Sequence, residues 1–179
     1  MSDTGGQSAA FPPPPLKAAA EEVAALLKSR KQTIAVAETA AGGLVSAVLL
    51  TVPGASEFYC GGLTLYTLQS RIAYGGWTQD MITSYRGPTP EIVAGLAEHT
   101  RSVLKSDYVV SESGTAGPSG GNTKNRKPGF VCLAVATGKG STTRELDTGL
   151  GGDRQGNMVA FAIAALELVR DVIRGSEKL

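Results

Sequence analysis

Three glycine-rich stretches carry the residue types that could act on a small ligand. The first is Ala37-Glu38-Thr39-Ala40-Ala41-Gly42-Gly43. A short apolar run, Thr33–Glu38, ends there and a helical pattern begins within a few residues. A hydroxyl at Thr39 would stand at the tip of that turn, and the amides that follow would be unpaired helix N-terminal donors. That is the layout of a nucleophile beside an oxyanion hole. Thr is also a good helix N-cap, so Thr39 has a structural reading as well. The second stretch is Gly61-Gly62-Leu63-Thr64-Leu65-Tyr66-Thr67, followed by Arg71. Strand alternation puts Thr64 and Tyr66 on one face, and Tyr66 and Arg71 could both reach a site at the strand end. Alternatively, Tyr66 is a core-edge aromatic and Arg71 a solvated helix residue. The third runs from Ser113-Gly114-Thr115-Ala116-Gly117 to Gly121. Its glycines let backbone approach a ligand and its hydroxyls offer contacts. Beyond it, Gly152-Asp153-Arg154 opens a helix, where a helix N-terminus beside an arginine suits a phosphate and Asp153 suits an N-cap. The cations of Asn122–Lys127 suit an anion or a solvated loop tip.

Alternating helices and strands must position these stretches. Helical spacing predicts helices over Leu16–Arg30, Gly42–Leu50, Leu68–Gly75, Gln79–Tyr85 and Asp153–Arg174. Thr89-Pro90 is an N-cap followed by a proline at the first helical position, so another helix starts there. Strands are expected at Thr33–Glu38, Tyr59–Thr67, Asp107–Glu112, Phe130–Thr137 and Thr142–Asp147, with Ser113–Pro128 a long loop. The pattern implies an α/β domain, a three-layer α/β/α sandwich on a mixed, mostly parallel sheet, spanning residues 16–175. Residues 1–15 read as a disordered proline-rich tail and 176–179 as a short C-terminal tail. Ligands in such sheets bind where strand ends meet helix starts.

Composition narrows the chemistry. The chain has 179 residues, one expected domain, with 17 Lys+Arg against 16 Asp+Glu. A net charge of +1 argues against nucleic-acid or membrane-surface partners. One histidine and two cysteines leave little for a Ser-His-Asp triad, a zinc site or a disulfide framework. No metal or cofactor is expected, and the reducing cytoplasm is the expected compartment. His99 reads as a solvated or helix-packing residue rather than a ligand or base. The first residues lack the basic and apolar regions of a signal peptide.

Taken in order, six landmarks resemble the CinA C-terminal domain family of competence/damage-inducible proteins. They are Ala37–Gly43, Val52-Pro53-Gly54-Ala55-Ser56, Gly62 through Tyr66-Thr67, Ser113–Pro118, Lys127-Pro128-Gly129 and Gly152-Asp153-Arg154. The resemblance is to the family's stand-alone form. It implies a three-layer fold, a homo-oligomer and a metal-independent nicotinamide-nucleotide amidase. Such an enzyme converts nicotinamide mononucleotide and water to nicotinic acid mononucleotide and ammonia. By position, the family's catalytic Ser falls on Thr39, its Tyr on Tyr66 and its Lys on Arg71. The resemblance also implies ligand contacts from Glu38, Ala41, Gly42, Gly43, Gly62, Gly114, Thr115, Ala116, Gly117 and Arg154. The family's Cys and Thr after the nucleophile are Ala40 and Ala41 here, which removes a hydroxyl at 41, and three further departures carry physical weight. Thr keeps a hydroxyl but adds a methyl that restricts rotation. An arginine stays protonated, so Arg71 cannot take a proton as a lysine can. The Asn of the T-Y-S-N motif is Leu68. Two functions follow: an amidase using Thr39, Tyr66 and Arg71, or a nucleotide-binding protein whose chemistry is impaired.

Overall fold

A central run of fully buried residues organises the molecule. In the computed structural model, which describes residues 11–175, strand β1 (Ile34–Glu38) is buried at all five positions. A strand covered on both faces needs no polar alternation, and this one lies inside a five-stranded sheet of order β2-β1-β3-β4-β5. β2 (Tyr59–Thr64) and β3 (Tyr108–Gly114) flank β1 in parallel. β4 (Phe130–Thr137) runs antiparallel to β3, and β5 (Gly140–Asp147) antiparallel to β4. Four strands therefore share one direction, while the four ladders divide evenly between parallel and antiparallel. The two edge strands alternate in exposure, as edges facing solvent on one side should.

Helices cover both faces. α1 (Pro14–Arg30), α2 (Leu44–Leu50) and α6 (Arg154–Arg174) pack over the main core, with Leu16, Leu27, Val45, Phe161 and Leu168 fully buried. On the other face, α5 (Pro90–Leu104) covers Ala35, Val109 and Ala134 through Val93 and Ala97. Beside it, α3 (Leu68–Tyr74) and α4 (Gln79–Ser84) close a smaller cluster of Ala37, Leu65, Trp77 and Leu96. Among the described residues, no helix is long and apolar enough to cross a membrane.

The caps explain the boundaries. Thr89 accepts from the Ile92 N–H and Asp153 from the Gly156 N–H, as the sequence predicts. Gly175 ends α6 at a positive φ. Pro14 and Pro15, expected in the tail, form the first turn of α1, where a missing N–H costs nothing and Leu16 draws the turn onto the core. α2 starts at Leu44 rather than Gly42, because Gly42 and Gly43 adopt positive φ values of 70° and 99°. β2 stops at Thr64, since Thr67 turns out of the sheet to cap α3. β3 continues to Gly114 because β4 pairs with it as far as Val131. Residues 1–10 and 176–179, the rest of the two expected tails, lie outside the described residues.

Candidate functional site

The C-terminal ends of β1, β2, β3 and β5 point the same way, and the start of α6 joins them there. A cavity of about 190 Å³ opens at this end, lined by Ala40, Tyr66, Gly114, Thr115, Ala116, Gly117, Ser119 and Arg154. A larger depression of about 560 Å³ lies at the opposite end, lined by residues including Arg30, Arg101 and Lys139. The smaller one is the candidate site, because it lies where strand ends meet a helix start.

Its wall is built from a loop fastened by a buried amide. Asn157 on α6 is fully buried, and its Nδ2 donates to the carbonyls of Ala116 (2.9 Å) and Gly151 (2.8 Å). The Thr115 N–H donates to the Phe130 carbonyl, and the Gly129 N–H to that of Thr115. Gly117 sits at φ 88°, with Gly152 3.2 Å from where a Cβ would stand. The loop therefore lies close against the turn that opens α6. Sequence reading names the glycines of this loop but misses Asn157, which carries no local motif.

Tyr66 is 63% exposed at the cavity rim. Its hydroxyl accepts from Arg154 Nη2 at 3.3 Å, while Arg154 Nη1 donates to the Gly117 carbonyl at 2.7 Å. Arg154 thus joins the tyrosine to the glycine loop. The cation touching Tyr66 is Arg154, not Arg71.

Arg71 is neither solvated nor at the cavity. It is 4% exposed, with its guanidinium 4.9 Å from the Trp77 ring centre and 5.3 Å from that of Tyr85. Nε donates to the Leu65 carbonyl at 3.4 Å, and Nη1 is buried without a partner among the described residues. The two rings meet edge to face with centres 5.6 Å apart, so the guanidinium lies against the pair, a contact that suits a weakly hydrated planar cation better than a strongly hydrated ammonium.

Thr39 is 3% exposed and does not line the cavity, although its neighbour Ala40 does. Its hydroxyl donates to Ser113 Oγ at 3.3 Å. Nor does Thr39 cap α2. That task belongs to Glu38, whose carboxylate accepts from the N–H groups of Gly43, Val45 and Ser46 and from Ser46 Oγ, at 2.7–3.0 Å. Both Glu38 oxygens are committed to the helix, so its expected ligand contact is not available as the chain stands. Gly62 is also outside the cavity lining. A Cβ there would stand 2.6 Å from Ser46 Oγ, so its role is to make room for the cap.

A second buried acid, Glu112 on β3, was not legible as part of the site. Its Oε1 accepts from the N–H groups of Thr39 (2.6 Å) and Ala41 (2.7 Å), and Oε2 is buried without a partner among the described residues. Burial pushes its carboxyl up to about 7; the nearby Glu38 charge adds to this, while the Ala41 and Thr39 amides and Arg71 oppose it. The only sequence signal is an acid inside the otherwise uncharged strand Tyr108–Gly114. The oxyanion donors expected from Ala41 to Gly43 are thereby redistributed. The amides of Ala41 and Gly43 are occupied by Glu112 and Glu38. Among the described residues, those of Ala40 and Gly42 have no intramolecular acceptor.

In the basic segment before Pro128, Lys124 pairs with Glu145 at 2.7 Å and lies over the Phe130 ring, while the Asn125 carbonyl accepts from the Thr115 hydroxyl at 3.5 Å. His99 packs against Gly76 and contacts the Tyr74 carbonyl. Cys60 is exposed, and burial pushes the Cys132 thiol up to about 12.

The mixed sheet between two helical layers, with a cavity where strand ends meet the start of α6, defines an α/β/α sandwich domain. The CinA C-terminal domain profile matches residues 16–173, and the chain belongs to that family. The CinA-like protein of Thermotoga maritima is 35% identical over 152 residues, covering 85% of this chain and 36% of that protein. The CinA-like protein of Desulforapulum autotrophicum is 35% identical over 142 residues, 79% of this chain and 33% of its own. This chain thus spans about a third of the curated relatives it matches. Among solved structures, the competence/damage inducible protein CihA of Agrobacterium tumefaciens superposes with a TM-score of 0.82 at 22% identity. That match covers 90% of this chain and 97% of the other, and shows the fold.

Proposed function

We propose that the protein is a nicotinamide-nucleotide amidase acting on the carboxamide of nicotinamide mononucleotide. The observation that carries this reading is the convergence of Tyr66, Arg154 and the Gly114–Gly117 loop on one cavity bordered by Ala40. Thr39 Oγ attacks the amide carbon, and its proton passes by way of Tyr66 to the leaving nitrogen. The C–N bond breaks and ammonia departs. Water then cleaves the ester, returning one proton to Thr39 Oγ and releasing nicotinic acid mononucleotide. The open amides of Ala40 and Gly42 steady the oxyanion. Thr115, Gly117 and Arg154 hold the ribose and phosphate. The reading calls on no metal or cofactor, and the family resemblance adds assembly into a dimer or larger homo-oligomer with the site near a subunit contact.

A second reading, ligand binding without turnover, is favoured by two observations. The Thr39 hydroxyl is buried against Ser113, and Arg71 is held in an aromatic cage where it cannot act as a base. Ammonia release from nicotinamide mononucleotide separates the two. Turnover that Thr39→Ala abolishes and Thr39→Ser preserves supports the amidase. Silence in the wild type, with nucleotide binding by calorimetry, supports the second reading. Turnover unaffected by Thr39→Ala removes Thr39 as nucleophile.

A further inference from the structure

Alternate amides of the Thr39–Ala41 turn converge on one oxygen. The N–H groups of Thr39 and Ala41 both point to Glu112 Oε1, at 2.6 and 2.7 Å. An acceptor that draws in residues 39 and 41 leaves the amides of 40 and 42 over. Those are the two that lack an intramolecular acceptor among the described residues. Ala40 also lines the cavity, and Gly42 is exposed. The glutamate comes from another strand: Ala37 pairs with Ser111, so Glu38 and Thr39 come level with Glu112 and Ser113. β3 therefore reaches across to set a turn whose own sequence, Thr-Ala-Ala-Gly, offers no carboxylate or amide side chain.

We propose that Glu112 is the positioning residue of this site, holding the Thr39–Ala41 turn so that the Ala40 and Gly42 amides stay free to receive a developing oxyanion. This rests on the amidase reading for its catalytic consequence. An ionised carboxylate accepts N–H bonds roughly twice as strongly as a neutral one, so the hold is firmest when Glu112 is charged. The charged groups acting on it are Glu38 from β1, which repels the charge, and Arg71 from α3, which attracts it. Burial opposes ionisation, and titration near neutral pH then follows. Glu38 spends its acceptor capacity on α2 instead of on this turn.

The test combines a kinetic and a spectroscopic arm. Glu112→Val removes the acceptor but keeps the strand; kcat for nicotinamide mononucleotide should fall about 100-fold, the usual effect of disturbing an oxyanion donor, with KM moving far less. Glu112→Gln keeps one acceptor oxygen, and its kcat should lose the dependence on pH that the wild type shows through about pH 7. A folded Glu112→Val protein with wild-type kcat, or a Glu112→Gln protein with the wild-type pH profile, overturns the proposal. The second arm needs no turnover. In wild-type protein the Thr39 and Ala41 amide resonances should move together through about pH 7. Motionless Thr39 and Ala41 amides also overturn it. If the wild type hydrolyses no amide, the amidase reading fails, while the amide titration still decides whether Glu112 holds the turn.

Discussion

Two buried glutamates sit side by side at the end of the sheet and are used in different ways. Glu38 closes the start of α2 with four hydrogen bonds shared over both oxygens. Glu112 holds two amides with one oxygen and leaves the other buried and empty-handed. The first is a satisfied acid that belongs to the fold. The second is a partly satisfied acid, the arrangement that costs stability and is retained where a site needs it. Identical side chains in equal burial are therefore distinguished by acceptor use alone.

The largest expected effect falls on the satisfied acid. Glu38→Ala strands the amides of Gly43, Val45 and Ser46 at a helix terminus against the core. The loss should be about 4 kcal/mol, since each buried donor left unpaired costs about 1–3 kcal/mol. Urea denaturation measures it. A loss below about 1 kcal/mol would show that water or a rearranged turn replaces the carboxylate, and the contrast with Glu112 would collapse.

Glu112 should respond in the opposite direction. Its carboxyl is raised from 4.5 to about 7 by burial, so the folded state holds the proton more tightly than the unfolded chain. Its contribution to stability is present below about pH 4.5 and is lost as pH rises through about 7. The shift corresponds to about 3 kcal/mol. Glu112→Gln cannot titrate, so it should gain that amount over wild type near pH 8.5 relative to pH 4. Chemical denaturation at the two pH values checks it. A wild type with no loss of stability across this range would mean that Oε2 finds a partner.

These contrasts also mark where sequence reading stops. The layers, five strands and the Thr89 and Asp153 caps were legible because each follows from local periodicity or a short capping pattern. The glycine loop around Thr115 and the arginine at 154 were legible for the same reason. Thr39 and Arg71 had chemical roles on the page but not environments. Thr39 could be read as a cap or a nucleophile; the structure gives the cap to a neighbouring carboxylate and turns the hydroxyl toward Ser113. Arg71 could be read as solvated or ligand-facing, and its cage of Trp77 and Tyr85 needs two residues that follow it by 6 and 14 positions. Glu112 and Asn157 act across elements 71 and 41 residues apart, which no local pattern encodes.

Arg71 extends the comparison to a buried cation whose Nη1 is enclosed without a partner among the described residues. Arg71→Lys keeps the charge but loses the flat guanidinium over both rings. A loss of about 1–2 kcal/mol in a thermal melt is expected. If the lysine variant instead gains ammonia release while remaining folded, the arginine is what silences the chemistry and the binding-without-turnover reading stands for the wild type.

The smallest effect on stability belongs to the exposed end of the same site. Tyr66 is open to solvent over most of its surface, and among the described residues its hydroxyl meets only Arg154. Tyr66→Phe should change stability by less than about 0.5 kcal/mol, as for other surface substitutions. Its effect should appear in function instead. Without the hydroxyl, Arg154 keeps only its bond to the Gly117 carbonyl, so the cation is less well placed for a phosphate. Nucleotide binding by calorimetry should weaken by about tenfold, the equivalent of one hydrogen bond to a charged group. Wild-type affinity in this variant would leave Arg154 aimed by Gly117 alone. The division between residues that hold the fold and residues that serve the ligand would then run through Arg154 rather than Tyr66.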